Sequence, residues 1–316
     1  MLAPILPSRY HDSLTGTPSS VAPNVFPPPD DFTIGDSLRR TRVTVSPGTL
    51  SIGVEGAPWA GLINQHVAGL YIDNVWSQTL TWSGTIGTKE TKTVALDGAA
   101  HIIDIEEQQV SITNVSSATL VTDSRPANRI ILCGTSIGEG LQATDVHLMY
   151  PALFRRTLPV GYGLTNFSIT GKLFFTLQQQ LAQIISRADG TSKNLFLIDC
   201  MVNDVLLGVT QTQFQTAANN IVAGLLASGV PAPKVLLVSM TQMTLAPGAG
   251  VTQVQANAIF AAKAAADPTN VVYLDNSNVY PGSTPWATYL ADGLHPTNTG
   301  HNVLSGVIGP AALALF

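Results

Sequence analysis

Hydrophobic periodicity changes once along this 316-residue chain. The change predicts two domains of different class: an antiparallel β-sandwich, then a three-layer α/β/α domain on a five-stranded parallel sheet. Up to about residue 125, short segments alternate polar and apolar residues, as strands with one wet face do. From Arg129 onward, near-continuous apolar runs are separated by stretches of helical period, as strands buried on both faces require. A third observation places chemistry in the second domain. A serine sits on a glycine-flanked turn directly after its first apolar run, and near the C-terminus a histidine follows an aspartate by three residues.

Residues 1–35, rich in Pro and Ser, read as an irregular N-terminal arm. The sandwich is expected over 36–125, with strands at 42–45, 49–52, 70–73, 79–82, 91–96 and 101–105, separated by Gly- or Pro-containing turns. Residues 124–128 are the expected linker. In 129–316 the strands are 129–133, a weaker run within 159–166, 194–198, 234–238 and 270–274. Phe214, Ala217, Ile221 and Leu225 fall on one face of an intervening helix. Val251, Val254, Ala258 and Ala262 are expected to share a face of the next. Five such strands fit a flavodoxin-like doubly wound domain, whose ligands bind at the strands' carboxyl ends.

Composition narrows the function classes. Hydrophobic residues make up 45% of the chain, enough for a substantial core, but charged residues only 11%, against a usual share of about 25%. Net charge is -5, and the cationic groupings are small: Arg39 and Arg40 with Arg42, and Arg155 with Arg156. No nucleic-acid partner is expected, since neither grouping makes a broad positive stripe. No apolar stretch approaches the roughly 20 residues of a membrane span, so no membrane insertion is expected. The weakly charged surface fits an exported or extracellular protein. Residues 1–7 carry no basic segment or sustained apolar run, so no signal peptide is read here, and a cytoplasmic location stays open. Cys133 and Cys200 each end an apolar run and read as buried free thiols. No zinc-ligand spacing occurs, and neither a metal nor a cofactor is expected.

Ser136 lies in Gly134-Thr135-Ser136-Ile137-Gly138, which also matches the G-x-S-x-G nucleophile turn. That pattern belongs most often to a fold whose serine follows several βα units, whereas Ser136 follows the first strand of the parallel region. A serine hydroxyl attacks a carbonyl only when a base within hydrogen-bond reach takes its proton. His295 is placed to do so, and Asp292 to hold the other ring nitrogen. Each residue also has a structural reading: Ser136 as a helix cap, His295 as a structural histidine before Pro296, Asn203 as an Asx-turn residue.

The order of motifs resembles the SGNH hydrolase superfamily, the GDSL-type esterases, over 129–316. Four blocks carry the resemblance: Gly134 to Gly140, Asn166 to Gly171, Met201-Val202-Asn203-Asp204, and Asp292-Gly293-Leu294-His295-Pro296. It implies a Ser136, His295, Asp292 triad and an oxyanion hole of the Ser136 and Gly171 backbone N–H groups with the Asn203 side chain. Two positions depart from the family pattern: Thr135 stands where aspartate is commonest and Met201 where glycine is usual. Thr135 removes a carboxylate, its hydroxyl being a candidate replacement, and Met201 is read as narrowing the pocket or shifting Asn203. Trp286 and Tyr289, on the loop before Asp292, are further candidates for lining a substrate pocket; a loop anchored by aromatic packing is the competing reading.

A β-sandwich ahead of such a domain is similar to carbohydrate acetyl esterases, the segment 94–105 looking like strands of their accessory domains. Trp59, Trp76 and Trp82 are candidates for stacking on sugar rings, with core packing the alternative. The expected partner is an acylated small molecule or polysaccharide, and the expected reaction is hydrolysis of short acyl esters, acetyl foremost. A broad carboxylesterase or lysophospholipase-like lipase, a transacylase, and a carbohydrate-binding module with a vestigial site are the alternatives. His147, expected within the first helix of the domain, and His301, expected on the terminal helix, are given no catalytic role.

Overall fold

The computed structural model describes residues 39–45, 47–56, 67–73, 75–81, 89–108, 110–115, 118–120, 128–159, 162–186, 188, 190, 193–282 and 286–316. The expected arm, Trp59, Trp82 and residues 121–127 of the linker region lie outside them. The described residues fall into two compact units: residues 39–120 with Asp145–His147, and 128–144 with 148–316.

In the first unit eight strands form two antiparallel sheets. The strands are β1 (Arg39–Val45), β2 (Thr49–Gly56), β3 (Val67–Ile72), β4 (Val75–Thr81), β5 (Lys89–Ala95), β6 (His101–Gln108), β7 (Val110–Val115) and β8 (Ala118–Leu120). One sheet runs β4-β3-β6-β1-β8 and the other β5-β2-β7. Leu50, Ile52 and Val94 from the smaller sheet share one core with Val45, Ala68, Leu70, Leu80, Ile103 and Ile105 from the larger. Pairs such as Leu50/Ile52 and Ile103/Ile105 are two residues apart, so the pleat turns both members to the same face. This is the predicted sandwich. β7 and β8 were not foreseen: only Gln109 separates β6 from β7, so no Gly or Pro marks the boundary. Trp76 is a packing residue, its ring stacked on His147 at 3.8 Å and edge-on to Tyr71 at 5.3 Å.

The second unit carries the parallel sheet, with β9 (Asn128–Gly134), β10 (Tyr162–Asn166), β11 (Lys193–Asp199), β12 (Lys234–Val238) and β13 (Val271–Leu274) in the order β10-β9-β11-β12-β13. Every pairing is parallel. Counted from β9 the order is 2-1-3-4-5, the flavodoxin-like sequence. The chain therefore turns one way from β9 to β10 and the other way beyond β11, which opens a crevice at the carboxyl end of β9. Eight helices flank the sheet: α1 (Ser136–Glu139), α2 (Tyr150–Thr157), α3 (Phe174–Leu177), α4 (Leu181–Ile185), α5 (Val202–Leu207), α6 (Gln211–Leu226), α7 (Gln253–Ala266) and α8 (Asn298–Leu313). α2 packs with α8, while α3, α4 and α7 pack with α6. The central strands between them are apolar and covered, Ile130 to Cys133 and Leu195 to Ile198 being fully buried, while β13 at the edge is half-buried beyond Val271.

Helix α6 buries Phe214, Ala217, Ile221 and Leu225, the predicted face. A capping box fixes its start: Gln213 N donates to Thr210 Oγ1 at 3.3 Å and Thr210 N to Gln213 Oε1 at 3.0 Å. α7 corrects the expectation. Thr252 and Gln255 form the same box, so the helix begins after Val251, and its buried face is Ala256, Ile259 and Phe260. Val254 is 78% exposed. The two largest apolar side chains of the helix take the core, and Val251, buried from outside it, does not share its phase.

Candidate active site

Strand β9 ends at Gly134, Thr135 continues extended, and Ser136 opens α1 as its first residue. Ser136 is only 3% exposed. Its turn sits tightly on the β10 exit. A Cβ at Gly134 would meet Ser168 Oγ at 2.5 Å, and one at Gly138 would collide with the same side chain, so both positions need glycine for closeness. Asn166, at the carboxyl end of β10, fastens the arrangement. Its Nδ2 donates to Gly138 O at 2.8 Å, and its Oδ1 accepts from Ser168 Oγ at 2.6 Å.

The loop between α8 and the preceding 3₁₀ turn (Trp286–Thr288) returns to this turn. It folds back on itself through a bridge between Leu290 and Pro296, with Ala291 N donating to His295 O at 2.9 Å. Gly293, at φ +84°, forms the tip, and Thr244 N binds its carbonyl at 2.8 Å. This loop carries His295 to Ser136, with Nε2 2.9 Å from Oγ. His295 Nδ1 lies 2.7 Å from Asp292 Oδ2, while Asp292 Oδ1 accepts from the backbone N–H groups of His295 at 2.8 Å and Leu294 at 3.0 Å. Burial works against the Asp292 carboxylate, but the His295 backbone and ring and the Leu294 N–H outweigh it and hold its pKa below the usual 3.8. A carboxylate so held fixes the imidazole with its proton on Nδ1 and Nε2 facing the serine.

The Gly171 loop follows β10. Lys172 N donates to Ile169 O at 3.1 Å, closing a four-residue turn with Gly171 at its third position, φ +79°. That is the type II pattern, which demands glycine for its backbone angle. No atom lies within 4 Å of a Cβ built at Gly171, so the requirement is one of φ and the open side is free for a ligand. Asn203, in the first turn of α5, donates from Nδ2 to Lys172 O at 2.8 Å. The amide thus keeps a second N–H, and this bond joins the two segments carrying Gly171 and Asn203.

Three polar residues here received no role from the sequence. Asp204, fully buried, accepts from Phe174 N at 2.6 Å and Phe175 N at 2.9 Å, capping α3; burial pushes its carboxyl up to about 7 against those bonds. Glu139 Oε2 accepts from Thr170 N at 2.6 Å and from Thr170 Oγ1. Asp199, paired in register with Gly134, accepts from Tyr150 Oη at 2.8 Å, and burial raises it to about 6. Glu139 and Asp204 lie inside the motif blocks and Asp199 just before one; the only further sign is a polar side chain amid apolar neighbours.

The remaining expectations resolve one by one. Thr135 and Met201 are each 1% exposed, so neither side chain reaches a solvent-open pocket wall. Thr135 Oγ1 is buried without a hydrogen-bond partner and replaces no carboxylate bond. Met201 packs into the core. Trp286 and Tyr289 are half-buried against that core, Tyr289 stacked on Tyr280 at 5.2 Å. His301 lies on α8 as expected; burial drives it down to about 4, and it accepts from Tyr150 N at 3.4 Å. His147 sits in a 3₁₀ turn (Val146–Leu148). Cys133 and Cys200 are buried free thiols. Among the described residues no cluster of His, Cys, Asp or Glu could hold a metal, and no helix is long and apolar enough to cross a membrane.

A doubly wound α/β domain with a Ser–His–Asp hydrogen-bond chain at its strands' carboxyl ends has the architecture of an SGNH-type hydrolase. The chain belongs to the GDSL-like lipase/acylhydrolase family, matched over residues 132–303, and is an ester hydrolase. Among solved structures it is similar to a salicylyl-acyltransferase, SsfX3, from a tetracycline biosynthetic pathway, with TM-score 0.71 and 17% identity over 88% of this chain and 83% of that one. It is also similar to a family two carbohydrate esterase from Clostridium thermocellum in complex with cellohexaose, with TM-score 0.69 and 12% identity over 91% of this chain and 98% of that one. A family two carbohydrate esterase from Cellvibrio japonicus matches with TM-score 0.62 and 13% identity over 89% and 90%. At these identities the likeness is one of fold, and its coverage takes in the antiparallel region. No curated protein sequence matches the chain.

Proposed function

We propose that this protein hydrolyses short acyl esters, acetyl foremost, on carbohydrate through an acyl-enzyme on Ser136. The observation that carries the reading is the unbroken chain from Ser136 Oγ to His295 at 2.9 Å and from His295 to Asp292 at 2.7 Å. Ser136 Oγ attacks the acyl carbon as His295 Nε2 takes its proton. Asp292 stabilises the imidazolium that forms. The carbonyl oxygen, now negative, is received by the Ser136 and Gly171 N–H groups and the free amide N–H of Asn203. Collapse expels the alcohol, protonated by His295. Water, deprotonated by the same nitrogen, then releases the acid and restores Ser136.

Two facts favour a carbohydrate ester. The fold likeness to the Clostridium thermocellum esterase runs over 98% of that chain, its antiparallel region included. The weakly charged surface, 11% charged residues, suits a polyol more than a charged substrate. Residues 129–316 carry the chemistry in this reading, 36–125 are an accessory domain, and an exported location matches a polysaccharide substrate. The likeness to an acyltransferase names the second reading, transfer of the same acyl group to an acceptor hydroxyl in place of water.

A p-nitrophenyl ester series from acetate to laurate, with acetylated polysaccharide beside it, tests the proposal in wild type and Ser136→Ala. Activity should peak at acetate, release acetate from the polymer and vanish in the variant. A peak at long chains points to a lipase, and inertness of the folded protein to every ester sinks the reading.

A further inference from the structure

The geometry points to Glu139 as the positioning residue for the oxyanion loop, holding the Gly171 N–H in register with Ser136 through Thr170. The inference rests on the reading above that Gly171 supplies an oxyanion donor. Glu139 is the last residue of the short helix that Ser136 opens, so its carboxylate is rigidly related to the nucleophile. It is 7% exposed, and Oε2 takes both polar hydrogens of Thr170, backbone N at 2.6 Å and Oγ1 at 2.5 Å.

Thr170 is the second residue of the turn whose third is Gly171. The peptide between them carries the Gly171 N–H. A turn of this kind has a near neighbour, type I, which differs chiefly by a flip of that central peptide, and the flip would swing the N–H away from the site. Flipping changes ψ of Thr170 and φ of Gly171. That rotation leaves Thr170 N and Oγ1 where they are, so the Glu139 carboxylate acts one step earlier: by gripping both it fixes the Thr170 Cα, from which the Gly171 N–H is carried, relative to the helix that Ser136 opens. Elsewhere the loop is tied by Ile169 N to Gly134 O at 3.2 Å and Asn203 Nδ2 to Lys172 O at 2.8 Å. These ties flank the central peptide; Glu139 acts on the residue that carries its carbonyl.

Substrate contact is not part of the role. A negative charge beside a developing oxyanion is unfavourable in itself, so what matters is the acceptor oxygen and its position. Glutamine offers a neutral acceptor in the same place, with bonds roughly half as strong.

The test measures kcat and KM on p-nitrophenyl acetate, with thermal melts, for Glu139→Ala, Glu139→Gln, Thr170→Val, the Ala/Val double variant and Ser136→Ala. Glu139→Ala should lose about ten- to a hundredfold in kcat, part of what one oxyanion donor is worth, with KM changed less than about threefold. Glu139→Gln should recover most of the loss. Thr170→Val keeps the N–H and deletes the hydroxyl; it should fall between, and the double variant should match Glu139→Ala alone. Should Glu139→Ala fail to fold, the near-isosteric Thr170→Val carries the test with an expected loss of about three- to tenfold in kcat. Wild-type kcat in folded Thr170→Val or Glu139→Ala, with Ser136→Ala dead, overturns the inference alone. Glutamine failing to rescue a folded Glu139→Ala loss also overturns it, and persistent activity in Ser136→Ala removes the reading beneath it.

Discussion

Asn203 gives one amide N–H to the Lys172 carbonyl and holds the other free, so its side chain is oriented before any substrate arrives. Asn203→Ala should lower kcat by about 100- to 1000-fold with little change in KM, the signature of an interaction made in the transition state. Asp292 keeps its charge below the usual carboxylate range because backbone and ring N–H groups outweigh its burial. It therefore stays ionised through mildly acidic pH, and the neutral Asp292→Asn, by allowing the wrong imidazole tautomer, should lose about 1000- to 10,000-fold in kcat. Steady-state kinetics on one ester checks both. Ser136, Asp292 and His295 stand out in the sequence because their settings are local: glycines around a strand end, and two residues three apart on one loop. Glu139 and Asp204 reach partners about 30 residues away, and no local pattern announces such a pair. Thr135 and Met201 read as departures at the pocket, yet burial decides their role, and burial of a single residue is set by tertiary packing.

At the scale of elements, strand positions were legible wherever apolar runs were bounded by turns, and helix phase where large side chains repeat. α6 obeyed its period; α7 did not, because its cap excludes Val251 and Ile259 and Phe260 dominate a run of alanines. The rings of Phe174, Phe214 and Phe260 meet at centroid separations of 4.8 to 5.5 Å, joining α3, α6 and α7. Phe214→Ala should cost about 3–5 kcal/mol, read by denaturant unfolding, since it empties a buried ring site and strips two aromatic partners. In the first unit His101 bridges the turn after β3 and the turn before β6, with Nδ1 2.7 Å from Asp73 and Nε2 2.8 Å from Asp97. The bonds to Asp73 and Asp97 raise the histidine's pKa above 6.5. The backbone N–H of Ala99 and the ring lower Asp97, and the ring and the N–H of Ile102 lower Asp73, both below 3.8. A raised histidine stabilises the fold below its unfolded pKa and stops doing so as pH climbs through the folded value. The aspartates stabilise it above theirs and stop as pH falls through the folded values. The melting-temperature gap between wild type and His101→Ala should therefore be widest near pH 5 and shrink by pH 9. A gap that does not vary with pH would show the clip carries no charge.

Across the whole molecule, the change of hydrophobic period told the two folds apart because it reflects how many faces of a sheet meet water. One wet face gives alternation, as in Leu50 and Ile52; two dry faces give a continuous run, as in Ile130 to Cys133. Strand order cannot be read from such runs, since nothing in them says which strand lies beside which. The 2-1-3-4-5 order places the carboxyl end of β9 between those of β10 and β11. Thus the serine turn, the Gly171 loop and the Asn203 helix converge because three adjacent strands end together. In the proposed mechanism that convergence gathers the nucleophile and its oxyanion donors at one point. Its most direct test is covalent: treatment of the folded protein with a fluorophosphonate ester, followed by intact and peptide mass spectrometry. One phosphonyl adduct should appear, on the peptide containing Ser136, and neither Ser136→Ala nor His295→Ala should take it up at the wild-type rate. An adduct on another residue, or none on folded protein, would contradict the account.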